Sequence, residues 1–236
     1  MSTPLRRRAS VALAIVAALL LGGCSLSDFA AQDADKSSAT PTPSPTPTFN
    51  SQFTRDGTFQ SHVDIDGVDF VYTIWPTKST PRTNLWYPRG NKYFSFTFQA
   101  YDLDQKLRDK FKTKRKVWLD RIRVDSETTT TSGAVERPYE LDSRASRITF
   151  DPEPVTDKHG MLITSPKGAF ELRNQKIGTL AADTRGLNLI FRATVHIQRS
   201  AGSKTYYKET IRQRVPIAIF KSDEATAVTK IPVNAN

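Results

Sequence analysis

The sequence predicts an all-β domain: an antiparallel β-sandwich of immunoglobulin-like type with about ten strands, behind a disordered N-terminal tether. Apolar and polar residues alternate over many short segments, as in strands that turn one face to a core. Glycine and proline turns separate these segments, and no stretch shows a long helical period. We therefore divide the chain into a signal peptide (1–23), a linker (24–55), a β-sandwich domain (56–221) and a loose C-terminal tail (222–236).

The first 24 residues have the order of an export signal. Arginines 6–8 precede an uncharged apolar run, residues 11–21, and two glycines then lead to Cys24. The run is shorter than the roughly 20 apolar residues that a transmembrane helix needs. Leu21-Gly22-Gly23-Cys24 resembles the lipobox of bacterial lipoprotein precursors at every position.

This resemblance implies cleavage before Cys24 and a diacylglycerol on its thiol, so that the membrane is a partner through the lipid. It also implies a location on the extracytoplasmic face of the bacterial cell membrane. Because Cys24 is the only cysteine, the folded body has no thiol for a disulfide or for cysteine-based catalysis.

The linker and the net charge suggest how the domain meets its surroundings. Alternating prolines in residues 41–47 favour an extended spacer, with hydroxyls that are glycosylated or left bare. Removing the signal peptide leaves 31 basic residues against 24 acidic ones, a net charge of +7. In the envelope such a charge favours anionic lipid or an acidic wall polymer over nucleic acid, although solubility alone also accounts for it.

The domain begins with a predicted hairpin. Residues 58–65 and 68–75 alternate, and the dipeptide between them, Asp66-Gly67, suits a type I′ turn with positive φ at both centres. Asp64, Asp66 and Asp69 raise a calcium hypothesis. The glycine stands at the wrong offset for an EF-hand loop and no ligating glutamate follows, so we assign no metal there.

Residues 76–91 contain three prolines and one glycine and predict a long loop. Trp86 and Tyr87 within it are candidate contacts for a sugar or a peptide, or else a plug for the open end of the sandwich. Residues 90–93, Gly-Asn-Lys-Tyr, resemble the approach to a strand in immunoglobulin-like domains of Gram-positive lipoproteins. The strand that follows, 93–103, places its phenylalanines on one face.

Basic residues recur at every second position between Gln105 and Lys116. They are Lys106, Arg108, Lys110, Lys112, Lys114 and Lys116. In an extended chain they share one face as a basic stripe, whereas in a short helix Leu107 and Phe111 form the buried edge. The stripe is either a surface that binds an anionic partner or a solvated edge that discourages sheet pairing.

Further strands are predicted along the rest of the domain. Residues 117–125 place Trp118, Ile122 and Val124 on one side. Shorter strands are predicted at 147–150, 161–164 and 169–173, and a long hairpin pairs 187–199 with 205–220. Pro216 suggests that the last strand is an edge or contains a bulge.

No catalytic motif is present. His62, His159 and His196 lie more than thirty residues apart, so we predict no metal or cofactor and assign His196 to a solvated strand face. The sequence thus favours a non-catalytic interaction module. The alternative is an envelope enzyme or small-ligand carrier with its site in loops 76–91 and 151–160, the latter rich in acids near His159.

Overall fold

The computed structural model describes Phe49, residues 58–78, Thr83 and residues 86–221. Within these residues the chain forms ten strands, one turn of α-helix and one 3₁₀ turn, Phe111–Thr113. They are β1 (Phe59–Ile65), β2 (Val68–Pro76), β3 (Lys92–Asp102), β4 (Val117–Thr130), β5 (Glu140–Arg144), α1 (Ala145–Ile148), β6 (Thr156–Asp157), β7 (Gly160–Leu162), β8 (Phe170–Ile177), β9 (Thr184–Gln198) and β10 (Tyr206–Ala218). The described part contains no helix that is long and apolar enough to cross a bilayer.

The strands form two antiparallel sheets. One has the order β1-β2-β3-β8 and the other the order β10-β9-β4-β7-β6, with β5 also paired to β4. In immunoglobulin domains strands A, B and E share one sheet and C, F and G the other. Here β2, β3 and β8 make the A–B–E pairings and β4, β9 and β10 make the C–F–G pairings. The predicted fold class, an antiparallel β-sandwich with about ten strands, is confirmed.

Aromatic rings fill the space between the sheets. Phe96 on β3 meets Phe191 on β9 edge to face, with ring centroids 5.1 Å apart, and Tyr72 stacks on Phe98 at 4.2 Å. These side chains are fully buried. Antibody domains join the strands in the places of β3 and β9 by a disulfide. In this cysteine-free body the contact between Phe96 and Phe191 joins these two strands, and such a ring pair contributes about 0.5–1.5 kcal/mol beyond its buried area.

The first hairpin follows the sequence prediction. Asp66 and Gly67 connect β1 to β2 with φ values of 51° and 72°, as a type I′ turn requires. The Arg115 guanidinium donates to both carbonyl oxygens of this turn, at 2.7 and 2.8 Å, and to the buried Asp102 carboxylate at 2.6 Å. This single side chain therefore joins the turn, the end of β3 and the start of β4.

A bulge at Asp120 changes which residues of β4 share a face. Leu119 pairs with Val195 and Arg121 with Thr194, so Asp120 is the additional residue. The expectation that Trp118 shares a side with Ile122 and Val124 is therefore wrong. Trp118 lies on the outer face, opposite His196 and Leu162 on the neighbouring strands, and its buried indole N–H has no hydrogen-bond partner in the described part.

One other prediction from the sequence is corrected, and one is confirmed. Residues 147–150 were expected to be a strand, but Ala145–Ile148 form the turn α1, and β5 precedes it against β4. Pro216 lies in β10, which is an edge strand as predicted. An edge tolerates proline because the missing N–H would face solvent.

The two ends of the sandwich differ in what they hold. At one end Phe49 packs against Gly186, and Ile219 donates to the Arg185 carbonyl at 3.0 Å, so the chain enters and leaves the domain there. At the other end the β1–β2 turn, the β3–β4 connection and the β9–β10 turn come together. Strand β9 separates the ends by about 40 Å, at roughly 3.3 Å per residue.

Candidate functional site

The basic segment is neither a strand nor a helix, which corrects both expectations for it. It runs through successive turns and one 3₁₀ turn, Phe111–Thr113. Leu107 is 60% exposed and forms no buried edge. The reason is that Asp102 accepts from the Arg115 N–H at 2.7 Å and pairs with its guanidinium, which closes the segment into a loop. The chain must reverse between these two residues.

This folding divides the six basic residues into two groups. Lys106, Arg108 and Lys110 are exposed on the outer part of the loop. The other three, Lys112, Lys114 and Lys116, line an open cleft at the end of the sandwich away from Phe49. The predicted stripe is thus not one surface.

Three segments that are distant in sequence form this cleft, which we call the lysine cleft. They are residues 112–116 before β4, the β6–β7 turn at 157–159, and residues 198–206 around the β9–β10 turn. The cleft encloses about 500 Å³. Its charged lining residues are Lys112, Lys114, Lys116, Lys158, Lys204 and Asp157.

The five lysines of the cleft lack acidic partners. Among the described residues none of them makes an ion pair. The only acid of the lining, Asp157, is engaged within its own turn. Its Oδ1 accepts from the His159 backbone N–H at 2.7 Å and its Oδ2 lies 3.3 Å from the His159 ring. The cleft therefore holds a concentrated positive charge that no ion pair among the described residues neutralises.

Aromatic rings lie beside the lysines on the outer face of the second sheet. The His159 ring lies 4.4 Å from the Tyr206 ring and 5.1 Å from the His196 ring, centroid to centroid. Partial burial lowers the pKa of His196, and the neighbouring His159 and Lys208 lower it further. His196 is on the outer face, as predicted, but it packs against His159 and is not simply a solvated residue.

Gln198 holds two walls of the cleft together. Its buried side chain accepts from the Lys116 backbone N–H at 2.9 Å and donates to the Ser203 carbonyl at 2.5 Å. The first contact fixes the segment before β4, and the second fixes the β9–β10 turn. These side-chain hydrogen bonds hold two walls of the cleft in place, and its shape exists before any partner binds.

The other candidate residues do not join this site. Trp86 is fully buried in the core near the end where the chain leaves, so its indole offers no stacking face, while Tyr87 is half-buried. Asp64 accepts from Gly67, Asp66 from Tyr207, and Asp69 lies 2.7 Å from His62.

Within the described ranges no three His, Cys, Asp or Glu side chains are grouped to hold a metal ion.

Two lysines of the cleft were missed from the sequence. Lys158 and Lys204 each lie in a short turn, between Asp157 and His159 and between Ser203 and Thr205, and no pattern around them marks a site. Cys24, the linker up to Phe49 and the tail 222–236 lie outside the described residues.

The chain matches no protein-family model and no curated protein. The function must therefore be inferred from the geometry and charge of the site itself.

Proposed function

We propose that this chain is a lipid-anchored, non-catalytic interaction module of the bacterial cell envelope that binds an anionic partner through the lysine cleft. The anchor is proposed from the resemblance of residues 21–24 to a lipobox. The interaction is proposed from one observation: five lysines converge on a cleft whose only carboxylate, Asp157, is bound within its own turn.

The physical case depends on unrelieved repulsion. Like charges that the fold holds near each other raise the local potential and disfavour the folded state. We therefore interpret such an arrangement as one that serves binding. An anion in the cleft lowers that potential. Each basic group near an anionic surface contributes about 1 kcal/mol, and the effect fades within a Debye length of about 8 Å at physiological salt. Several lysines on one cleft act together because they lie within that distance of one bound group.

The mature chain with Cys24→Ser provides the test. It is mixed with isolated envelope material at low and near-physiological salt, and the bound fraction is measured by sedimentation. We expect salt-sensitive binding that falls at least tenfold in the triple variant Lys112→Ser, Lys116→Ser, Lys204→Ser. The same Cys24→Ser change is expected to move the protein from the detergent phase to the aqueous phase in phase separation, because it removes the proposed lipid.

The chain offers a matched control. The triple variant Lys106→Ser, Arg108→Ser, Lys110→Ser removes the same charge from the loop outside the cleft, where the side chains are exposed. We expect it to lose less than threefold. Equal losses in the two triple variants would mean that net charge, and not the cleft, attracts the envelope material, and the proposed function would then be wrong.

The alternative, a carrier of small anionic ligands, is favoured by one feature of the same site. Residues 157–159 of the 151–160 loop line the cleft, and its volume of about 500 Å³ is in the range of small-molecule sites. The described residues of loop 76–91 do not line the cleft. Native mass spectrometry of the purified chain distinguishes the two functions: a stoichiometric small molecule that the cleft variant loses would identify a carrier.

A further inference from the structure

The burial of Lys114 sets it apart from the other lysines of the cleft, because a lysine that serves only solubility is exposed to solvent. The residue is 3% exposed, and its ammonium group donates to one acceptor, the Lys106 carbonyl. No carboxylate pairs with it in the described part. A buried ammonium is costly unless it is paired, because burial removes its hydration. The adjacent Arg115 is equally buried but meets Asp102, Asp104 and the two turn carbonyls.

Lys114 is part of the cleft lining, and an ammonium group has three donors, of which the Lys106 carbonyl accepts one. Four further lysines approach from three separate segments, and no arginine contributes. The planar guanidinium of arginine binds a planar anion such as a carboxylate through two parallel hydrogen bonds. An ammonium group acts as a point charge, so several of them can approach one anion from different directions. A tetrahedral phosphate offers oxygens in several directions and therefore uses more of these donors than a planar carboxylate does.

The rings beside the lysines add a second requirement. Tyr206 lines the cleft with His159, and the two rings are 4.4 Å apart. Aromatic faces bind apolar surface, while the polar ends of tyrosine and histidine hydrogen-bond to hydroxyl groups. A ligand that carries both phosphate and a sugar or polyol fits this combination better than phosphate alone.

The position of the cleft decides between two sources of phosphate. The chain enters the domain at Phe49 and Gly186, about 40 Å along β9 from the cleft. The potential of an anionic membrane fades within about 8 Å at physiological salt, so headgroups near the Phe49 end would not reach the cleft.

We infer that the lysine cleft is a binding site for a phosphodiester-linked sugar or polyol polymer of the envelope, with one phosphate group held at Lys114. This inference rests on the proposed function and specifies its partner.

Binding of two polyanions tests the chemistry. The probes are poly(glycerol phosphate) and poly(glutamate) of equal charge number, titrated into the mature Cys24→Ser chain at one salt concentration. We expect the phosphate polymer to bind at least tenfold more tightly. Lys114→Met should remove this preference, whereas Lys112→Met should weaken both polymers by the same small factor. Thermal unfolding of each variant verifies that the domain is folded.

The source of the phosphate is tested with the lipidated protein in phosphatidylglycerol vesicles. We expect soluble poly(glycerol phosphate) to bind it as tightly as it binds the Cys24→Ser chain. A tenfold weaker affinity in these vesicles, but not in phosphatidylcholine vesicles, would show that headgroups occupy the cleft and would overturn the polymer as partner.

The outcomes separate the two proposals. Equal affinity for both polymers, or equal effects of the Lys114 and Lys112 variants, would overturn the phosphate inference and leave the anionic-partner function standing. Binding that survives the Lys112, Lys116 and Lys204 triple variant would overturn both.

Discussion

The outer face of the second sheet carries basic side chains at two places, and they are treated in opposite ways. Near the middle of β4 the arginines are neutralised: Arg121 meets Asp142 at 2.5 Å, Arg123 meets Asp125 at 2.9 Å, and Arg192 also pairs with Asp125. At the end of the same face the five lysines of the cleft have no ion pair within the described residues. One sheet thus supports a paired region and an unpaired one.

The difference shows which charges the fold uses for itself. The hydrogen bond from Arg123 lowers the pKa of the Asp125 carboxyl, burial raises it, and the hydrogen bond from Arg192 lowers it again. The net effect is a lowered pKa, as expected for a carboxylate that is held by cations. Those arginines are satisfied and have little to offer a partner. The lysines of the cleft do not stabilise the fold through contacts with one another. Their remaining N–H donors are therefore available to a ligand. Three predictions examine this distinction.

The largest expected effect concerns the two adjacent buried cations. Arg115→Met leaves the Asp102 carboxylate, 3% exposed, without its partner, and we expect the free energy of unfolding to fall by about 3–5 kcal/mol. Lys114→Met leaves only one carbonyl, that of Lys106, without its donor, so we expect the free energy of unfolding to fall by less than about 1 kcal/mol. Urea unfolding of both variants measures the difference. Equal losses would mean that Lys114 is as structural as Arg115.

Lys92 is a third buried cation and gives a pH-dependent effect. Its ammonium donates to the carbonyls of Tyr87, Pro88 and Gly90 at 3.0, 3.0 and 2.7 Å, while burial and the charge of Lys176 lower its pKa to about 8. The unfolded chain keeps this proton up to about pH 10.4. Between these two values the unfolded state binds more protons, so stability attributable to Lys92 rises with pH.

From pH 8 to 10.5 we expect the unfolding free energy of wild type to increase by about 3 kcal/mol relative to that of Lys92→Met. The figure follows from about 1.4 kcal/mol per pKa unit. Groups remote from Lys92 titrate equally in both proteins, so the difference reports on the Lys92 site. A difference that stays constant across this range would contradict the lowered pKa.

The smallest effect concerns the paired region. Because the pKa of Asp125 is lowered in the fold, its contribution to stability is present above the unfolded pKa of about 3.9 and is lost as pH falls through the folded value. Its arginine partners are partly exposed, so we expect Asp125→Asn to cost only about 0.5–1 kcal/mol at pH 7. Chemical unfolding at pH 7 and below pH 3 checks this, since the two proteins should converge in acid.

Features that depend on neighbouring residues were predictable from the sequence. The alternation of residues 58–75 about Asp66-Gly67 determined the first hairpin, because turn chemistry and strand period act over a few residues. The long hairpin of β9 and β10 was predicted within a few residues for the same reason. The bulge at Asp120 was not, since it is set by pairing with β9, and it moved Trp118 to the outer face.

The sequence by itself determined the β-sandwich class, the shortage of thiols and the concentration of basic residues between 105 and 116. Only the tertiary structure decided which of those residues meet. The ion pair between Asp102 and Arg115 closes the loop, so an alternation that suggests one face yields two groups. Lys158 and Lys204 join through the β4–β7 and β9–β10 pairings, long-range contacts that no local pattern encodes. A binding site made of distant turns depends on sheet register, and register is a property of the whole fold.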